Sequence, residues 1–164
     1  MAVVAVKTAK ITAEDLAGEK LASAGKAEIV LTGTAEAANG DSATSTYRLI
    51  RVPSNFVITS LRLAWDALGG SAAGDIGVYQ VAAYGGAVVD ADEFASAVAL
   101  ASAGAWTDEM EEAAATDISK IGQAIWERIG EAADTGRAYD IAVTLTVASG
   151  AAATLAMVVR GFYK

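Results

Sequence analysis

Between Tyr139 and Val159 the chain keeps a period of two with one interruption. Tyr139, Ile141, Val143, Leu145 and Val147 alternate with Asp140, Ala142, Thr144 and Thr146. Beyond Ala148-Ser149-Gly150, Leu155, Met157 and Val159 alternate with Thr154, Ala156 and Val158. Successive strand side chains point to opposite faces, so this pattern fits half-buried strands and no helix. The small residues between the two runs predict a hairpin over roughly residues 138–163.

The same period returns upstream. In NFVITSLRLAWDA, Val57, Leu61, Leu63 and Trp65 are predicted on one face, with Ser60, Arg62, Ala64 and Asp66 on the other. Further strands are predicted over Ala27 to Thr32, over Ser45 to Val52 before the only proline, Pro53, and in GDIGVYQV with Ile76 and Val78 together. TAEAANGDSAT reads as a loop, with Asn39-Gly40 a turn signal, and Gly85-Gly86 reads as another turn. Gly77, inside a strand, suggests a bulge or a close backbone approach.

The middle, Ala87 to Ala133, loses this period. FASAVALASA predicts a helical turn or two, and Gln123 to Ala132 a short helix with Ile125, Trp126 and Ile129 inward. Thr12, followed by Glu14 and Asp15, fits the start of another short helix. An extended arm that orders on a partner is an equal reading of residues 1–25. The expected organisation is an N-terminal arm, 1–25, and one β domain, 26–164. The fold class is mainly β: an antiparallel β-sandwich or jelly-roll-like barrel with one or two short helices. A chain of 164 residues can bury about 70% of the surface it exposes when unfolded, enough for one such core.

Composition removes several kinds of chemistry. There is no cysteine, hence no disulfide, zinc-thiolate site or thiol nucleophile. There is no histidine, which excludes Ser-His-Asp and Cys-His machinery and the commonest transition-metal ligand. A net charge of −8 argues against nucleic acid and against an anionic membrane surface. The start, MAVVAVKTAKITAED, is too short for a secretory h-region, and no run approaches a membrane span. The expectation is a soluble protein that stays in the cell that makes it until something releases it.

Asp90, Asp92 and Glu93 could offer oxygen ligands to a hard cation. The EF-hand spacing is absent, because Phe94 follows and no glycine does. The competing reading makes Asp90 the cap of a short helix, with Asp92 and Glu93 in its first turn. Asp108, Glu109, Glu111 and Glu112 could form a glycosidase carboxylate pair only beside a sugar-binding cleft. No G-x-G-x-x-G or phosphate loop is present, and neither Ser23 with Lys26 nor Ser119-Lys120 makes a convincing Ser-Lys dyad. No enzyme activity and no cofactor are expected.

Charge is segregated along the chain. From Asp90 to Ser119 there are eight acids and no base; from Ser42 to Ala64 there are Arg48, Arg51 and Arg62 and no acid. This fits either two solvated faces or complementary contact with a partner.

The strings GDSATSTYRLIRVPSN, AAGDIGVYQ, GGAVVDADEFASAVALASA, AIWERIG and YDIAVTLTVASGAAATLAMVVRG, in this order, resemble a family of small virion structural proteins of tailed bacteriophages. The resemblance covers about residues 40–164 and departs from the family in DEMEEAAATDISKIGQ. It implies a non-enzymatic part of the particle, foremost a capsid decoration or cement protein on the head, made in the host cytoplasm. The implied partners are the major capsid protein and further copies of the chain, a trimer before a dimer. A tail or fibre component touching a host glycan through Trp65, Trp106 or Tyr84 is one alternative, and a carboxylate-dependent hydrolase another. The expected contact residues are Val3, Val4 and Val6 in the arm, and Arg48, Arg51 and Arg62.

Overall fold

The computed structural model describes residues 27–110 and 118–164. Eight strands form the molecule: β1 (Ile29–Ala37), β2 (Thr46–Pro53), β3 (Phe56–Trp65), β4 (Ala73–Gln80), β5 (Val88–Ala99), β6 (Gly104–Asp108), β7 (Ala138–Val147) and β8 (Ala153–Tyr163). One helical turn, α1 (Ile125–Arg128), lies between β6 and β7. The strands pair antiparallel in two four-stranded sheets, ordered β1-β8-β3-β6 and β2-β7-β4-β5. That order is the eight-stranded jelly roll, in which the chain changes sheet at most of its turns.

The core lies between the sheets. Ile141, Val143 and Leu145 of β7 face Leu155, Met157 and Val159 of β8 across it, each at most 1% exposed. Ile76, Val78, Phe94, Leu61 and Leu63 fill the rest. The two C-terminal strands therefore exist as the alternation predicts, but the hairpin does not. β7 pairs with β2 and β4, and β8 with β1 and β3. Both runs bury an apolar face, and two such faces bury more by stacking on each other than by lying side by side in one sheet.

A second departure is β5. The helical turn predicted in FASAVALASA and the helix cap predicted at Asp90 are both strand. β5 pairs with β4 through three irregularities, and each breaks the two-residue period that would reveal it. Gly77 marks one of them. A Cβ there would lie 2.1 Å from the Asp90 carbonyl oxygen, so only glycine lets the two backbones approach. β1 also runs further than expected, through Ala37.

β3 carries a third departure. A register shift between Ile58 and Ser60 turns the strand, so Phe56 and Ile58 join Leu61 and Leu63 in the core. Val57 faces the other way and is buried by Ala124, with which it forms an isolated bridge. Trp65 and Trp126, read as core, are half-buried. The Trp65 ring lies over Gly104, where a Cβ would come within 2.2 Å of it, and its Nε1–H donates to the Ser102 carbonyl at 2.8 Å.

The sandwich has two unlike ends. At the top, main-chain bonds stitch the loops together: Gly40 N–H to Ser149 O, Gly150 N–H to Leu68 O and Gly69 N–H to Ala101 O. At the base, β1 begins, β8 ends, and β6 leads into the long connection to β7. Within that connection α1 is short, as expected, with Ile125 buried and Ile129 packed against the core.

Candidate functional site

Glu93 and Arg128 decide the meaning of the first acidic cluster. β5 points the Glu93 carboxylate inward, where Oε1 accepts from Arg128 Nε at 2.9 Å and Oε2 from Lys120 Nζ at 2.7 Å. The Arg128 guanidinium lies 5.1 Å from the centre of the Phe94 ring and donates to the Lys120 carbonyl. Glu93 thus fastens the β6–β7 connection to the sheet. Each oxygen of this buried carboxylate thus faces a cation, which offsets the cost of taking its charge out of water.

Asp90 and Asp92 sit together on the same strand, near Asp75 of β4. The Asp92 carboxyl is raised above its ordinary value, first by a hydrogen bond with Asp90, then by partial burial and the negative charges of Asp90 and Asp75. Asp90 Oδ1 accepts from the Asp92 N–H, and Asp75 Oδ1 from the Ala97 N–H at 2.7 Å. Asp90 thus binds the backbone within its own irregular strand and caps no helix. Among the described residues no group of acids stands where it could hold a metal ion.

Of the second acidic cluster, Asp108 closes β6. Its Oδ2 accepts from the Ser60 hydroxyl at 3.2 Å and its Oδ1 from the Met110 N–H. Glu111 and Glu112 lie outside the described residues. Lys120, one member of the weighed Ser-Lys pair, is committed to Glu93; Ser23 and Lys26 also lie outside.

The arginines of the acid-free stretch do not form one patch. A register shift between Arg48 and Ile50 brings Arg48 and Arg51 to the outer face of β2, though three residues apart. Both reach Asp140 on β7, Arg51 Nε at 2.7 Å and Arg48 Nη1 at 3.1 Å. Arg48 also donates to the carbonyls of Gln80 and Gly86 and lies over the Tyr79 ring. Burial alone would raise the Asp140 carboxyl, but hydrogen bonds and charge from Arg51 and Arg48 outweigh it and hold it low. These residues line a cavity of about 230 Å³ together with Leu49 and Ile50. Arg62 lies in the other sheet, exposed, with Asp108 opposite it on β6. The hydrogen-bonded acid partners of Arg48 and Arg51 come from a strand 89 or more residues away, which no local sequence signal gives. Val3, Val4 and Val6 lie outside the described residues.

The aromatic residues weighed for a glycan platform are dispersed. Trp65 is folded over Gly104, Tyr84 stands in the β4–β5 turn with Arg137 against its ring, and Trp106 is exposed on β6 with φ 48°. Among the described residues no helix is long and apolar enough to cross a membrane.

No protein-family model matches the sequence. No curated protein matches it either. The fold is similar to that of a chain in the solved cyanophage Pam1 capsid asymmetric unit, with a TM-score of 0.55 and 14% identity. That likeness covers 90% of this chain and 96% of the other, so the two are alike as whole domains of comparable size.

Proposed function

We propose that this chain is a structural component of a tailed-phage virion, and within that class a decoration or cement protein on the outside of the head. One observation carries the reading: a single jelly roll matches, nearly end to end, a chain of a phage capsid asymmetric unit. The ordered string of motifs from Gly40 to Gly161 supports it independently, because it resembles small virion proteins rather than enzymes. The chemistry of the acids agrees: Glu93 is spent on Arg128 and Lys120, and Asp140 on Arg48 and Arg51. The proposed partners are the major capsid protein and further copies of the chain, with a trimer favoured. The proposed contacts are Val3, Val4 and Val6 in the arm, with Arg62 and the exposed part of Arg51; Arg48 contributes chiefly by holding Asp140. The protein would be made in the host cytoplasm and function on the capsid surface.

The test uses particles of the parent phage assembled without this chain. Purified protein should co-sediment with them saturably and raise the temperature at which they release DNA. Failure to co-sediment with intact heads would refute the reading.

A further inference from the structure

We infer that Asn39 is a site of spontaneous covalent modification, at which the side-chain amide is displaced by the main-chain nitrogen of Gly40 and the residue becomes aspartate or isoaspartate. The reaction needs no partner and is independent of the virion reading.

Three observations select this residue. The first is exposure. The chain has two asparagines, Asn39 and Asn55. Asn39 is exposed in the turn after β1, and among the described residues no hydrogen bond holds its side chain. Asn55 is half-buried between β2 and β3, and its carbonyl accepts from the Lys164 N–H at 2.9 Å.

The second is the residue that follows. Ring closure carries the next main-chain nitrogen onto the asparagine Cγ, and a side chain on that next residue obstructs the approach. Asn55 is followed by Phe56, fully buried with its ring edge-on to Tyr163. Asn39 is followed by Gly40, around whose missing Cβ nothing lies within 4 Å.

The third is what the turn must give up. Asp41 N–H to Ala38 O closes it, and Gly40 N–H to Ser149 O ties it to the β7–β8 turn, both at 3.3 Å. These are the longest main-chain bonds at the top, where Ser149 N–H to Asp41 O is 3.0 Å and Gly150 N–H to Leu68 O is 2.7 Å. The Gly40 nitrogen is therefore freed by a local opening that breaks the weakest of these contacts.

The chemistry balances with water alone. Hydroxide takes the Gly40 N–H proton, and the nitrogen attacks Asn39 Cγ. A C–N bond forms, the Cγ–Nδ2 bond breaks, and Nδ2 takes a proton from water and leaves as ammonia. Water then opens the cyclic imide. Attack at Cγ gives aspartate; attack at the main-chain carbonyl gives isoaspartate, whose main chain runs through Cβ and Cγ. Either product sets a new carboxylate beside Asp41, whose Oδ2 already accepts from the Ala38 N–H at 2.8 Å and the Tyr47 hydroxyl at 2.7 Å. Isoaspartate also lengthens the main chain inside a turn closed from Ala38 to Asp41. The bonds from Asp41 and Gly40 no longer fit that path, and the top loosens where the β1–β2 and β7–β8 turns meet.

Peptide mass spectrometry of the purified full-length protein, stored at neutral and at alkaline pH, tests this. A synthetic peptide spanning Glu36 to Ser45 is stored alongside. The amide-to-acid mass gain is expected at Asn39 of the folded protein, faster at the alkaline pH, in separable aspartyl and isoaspartyl forms, with Asn55 unchanged. Asn39→Gln should abolish the acidic form seen on ion exchange. In the isoaspartyl fraction the Asp41 and Ser149 amides should lose protection from hydrogen exchange. Asn39 intact in the folded protein while the peptide converts would overturn the inference, because the turn would then protect it. Equal conversion of Asn39 and Asn55 would overturn it as well, because exposure and Gly40 would then select nothing. Unchanged exchange at Asp41 and Ser149 in the isoaspartyl fraction would overturn the predicted loosening of the top.

Discussion

Glu93 and Arg128 meet at 2.9 Å inside the protein, with both side chains only 1% exposed. The pair joins β5 to the last turn of α1 across 35 residues of sequence. Removing one partner leaves the other charged and out of water. Arg128→Ala should therefore cost about 3–5 kcal/mol. Replacing both, as Glu93→Leu with Arg128→Met, should recover most of that loss, because Lys120 is partly exposed and can turn to water. Urea denaturation of the single and double variants measures this coupling.

Phe94 and Trp65 should differ in the opposite order to their size. Phe94 is fully buried and supports the Arg128 guanidinium. Phe94→Ala should cost about 3–5 kcal/mol. Trp65 is half-buried at the edge of the core, and Trp65→Ala should cost less, about 1–3 kcal/mol. Equal losses in thermal unfolding would mean that Trp65 is a core residue after all.

Two aspartates should respond to pH with opposite signs. Asp92 is raised above its unfolded value, so its contribution is present in full below about pH 3.9 and lost as pH rises through its folded pKa. Asp92→Asn should therefore stabilise the protein at pH 7 relative to the wild type, with the gain shrinking in acid. Asp140 is lowered, so its contribution is present above its unfolded value and lost as pH falls through its folded pKa. Asp140→Asn should destabilise at pH 7 and lose that effect in acid. Unfolding curves at pH 3 and pH 7 separate the two.

The isolated protein should self-associate, with a trimer expected at micromolar concentration, since virion parts are repeated by symmetry. Sedimentation velocity across a concentration series reads this. A monomer at every concentration, both free and on the particle, would contradict it.

The strands of the core were legible because large apolar side chains alternate along them with small or polar ones, as Ile141, Val143 and Leu145 do with Ala142 and Thr144. β2, β3, β4, β7 and β8 each keep enough alternation to be recognised from Leu, Ile and Val alone. What pairs with what was not legible, because Leu145 and Leu155 look the same whether their strands share a sheet or face across a core. β5 was illegible for another reason. Glu93, Phe94 and Ala95 are buried in succession, so the strand has no period of two where it matters most. The register shifts at Leu49 and Thr59 have no sequence signature either, and they decide that Arg48 and Arg51 share Asp140 and that Val57 leaves the core. The absence of histidine and cysteine was the most informative feature for function, since it needed no structure to exclude whole classes of chemistry.

A cryo-EM reconstruction of the parent phage particle tests the central claim most directly. The account predicts density of an eight-stranded jelly roll of this size on the outer surface of the head. A head without such density, or the chain found only in the tail or absent from the particle, would contradict it.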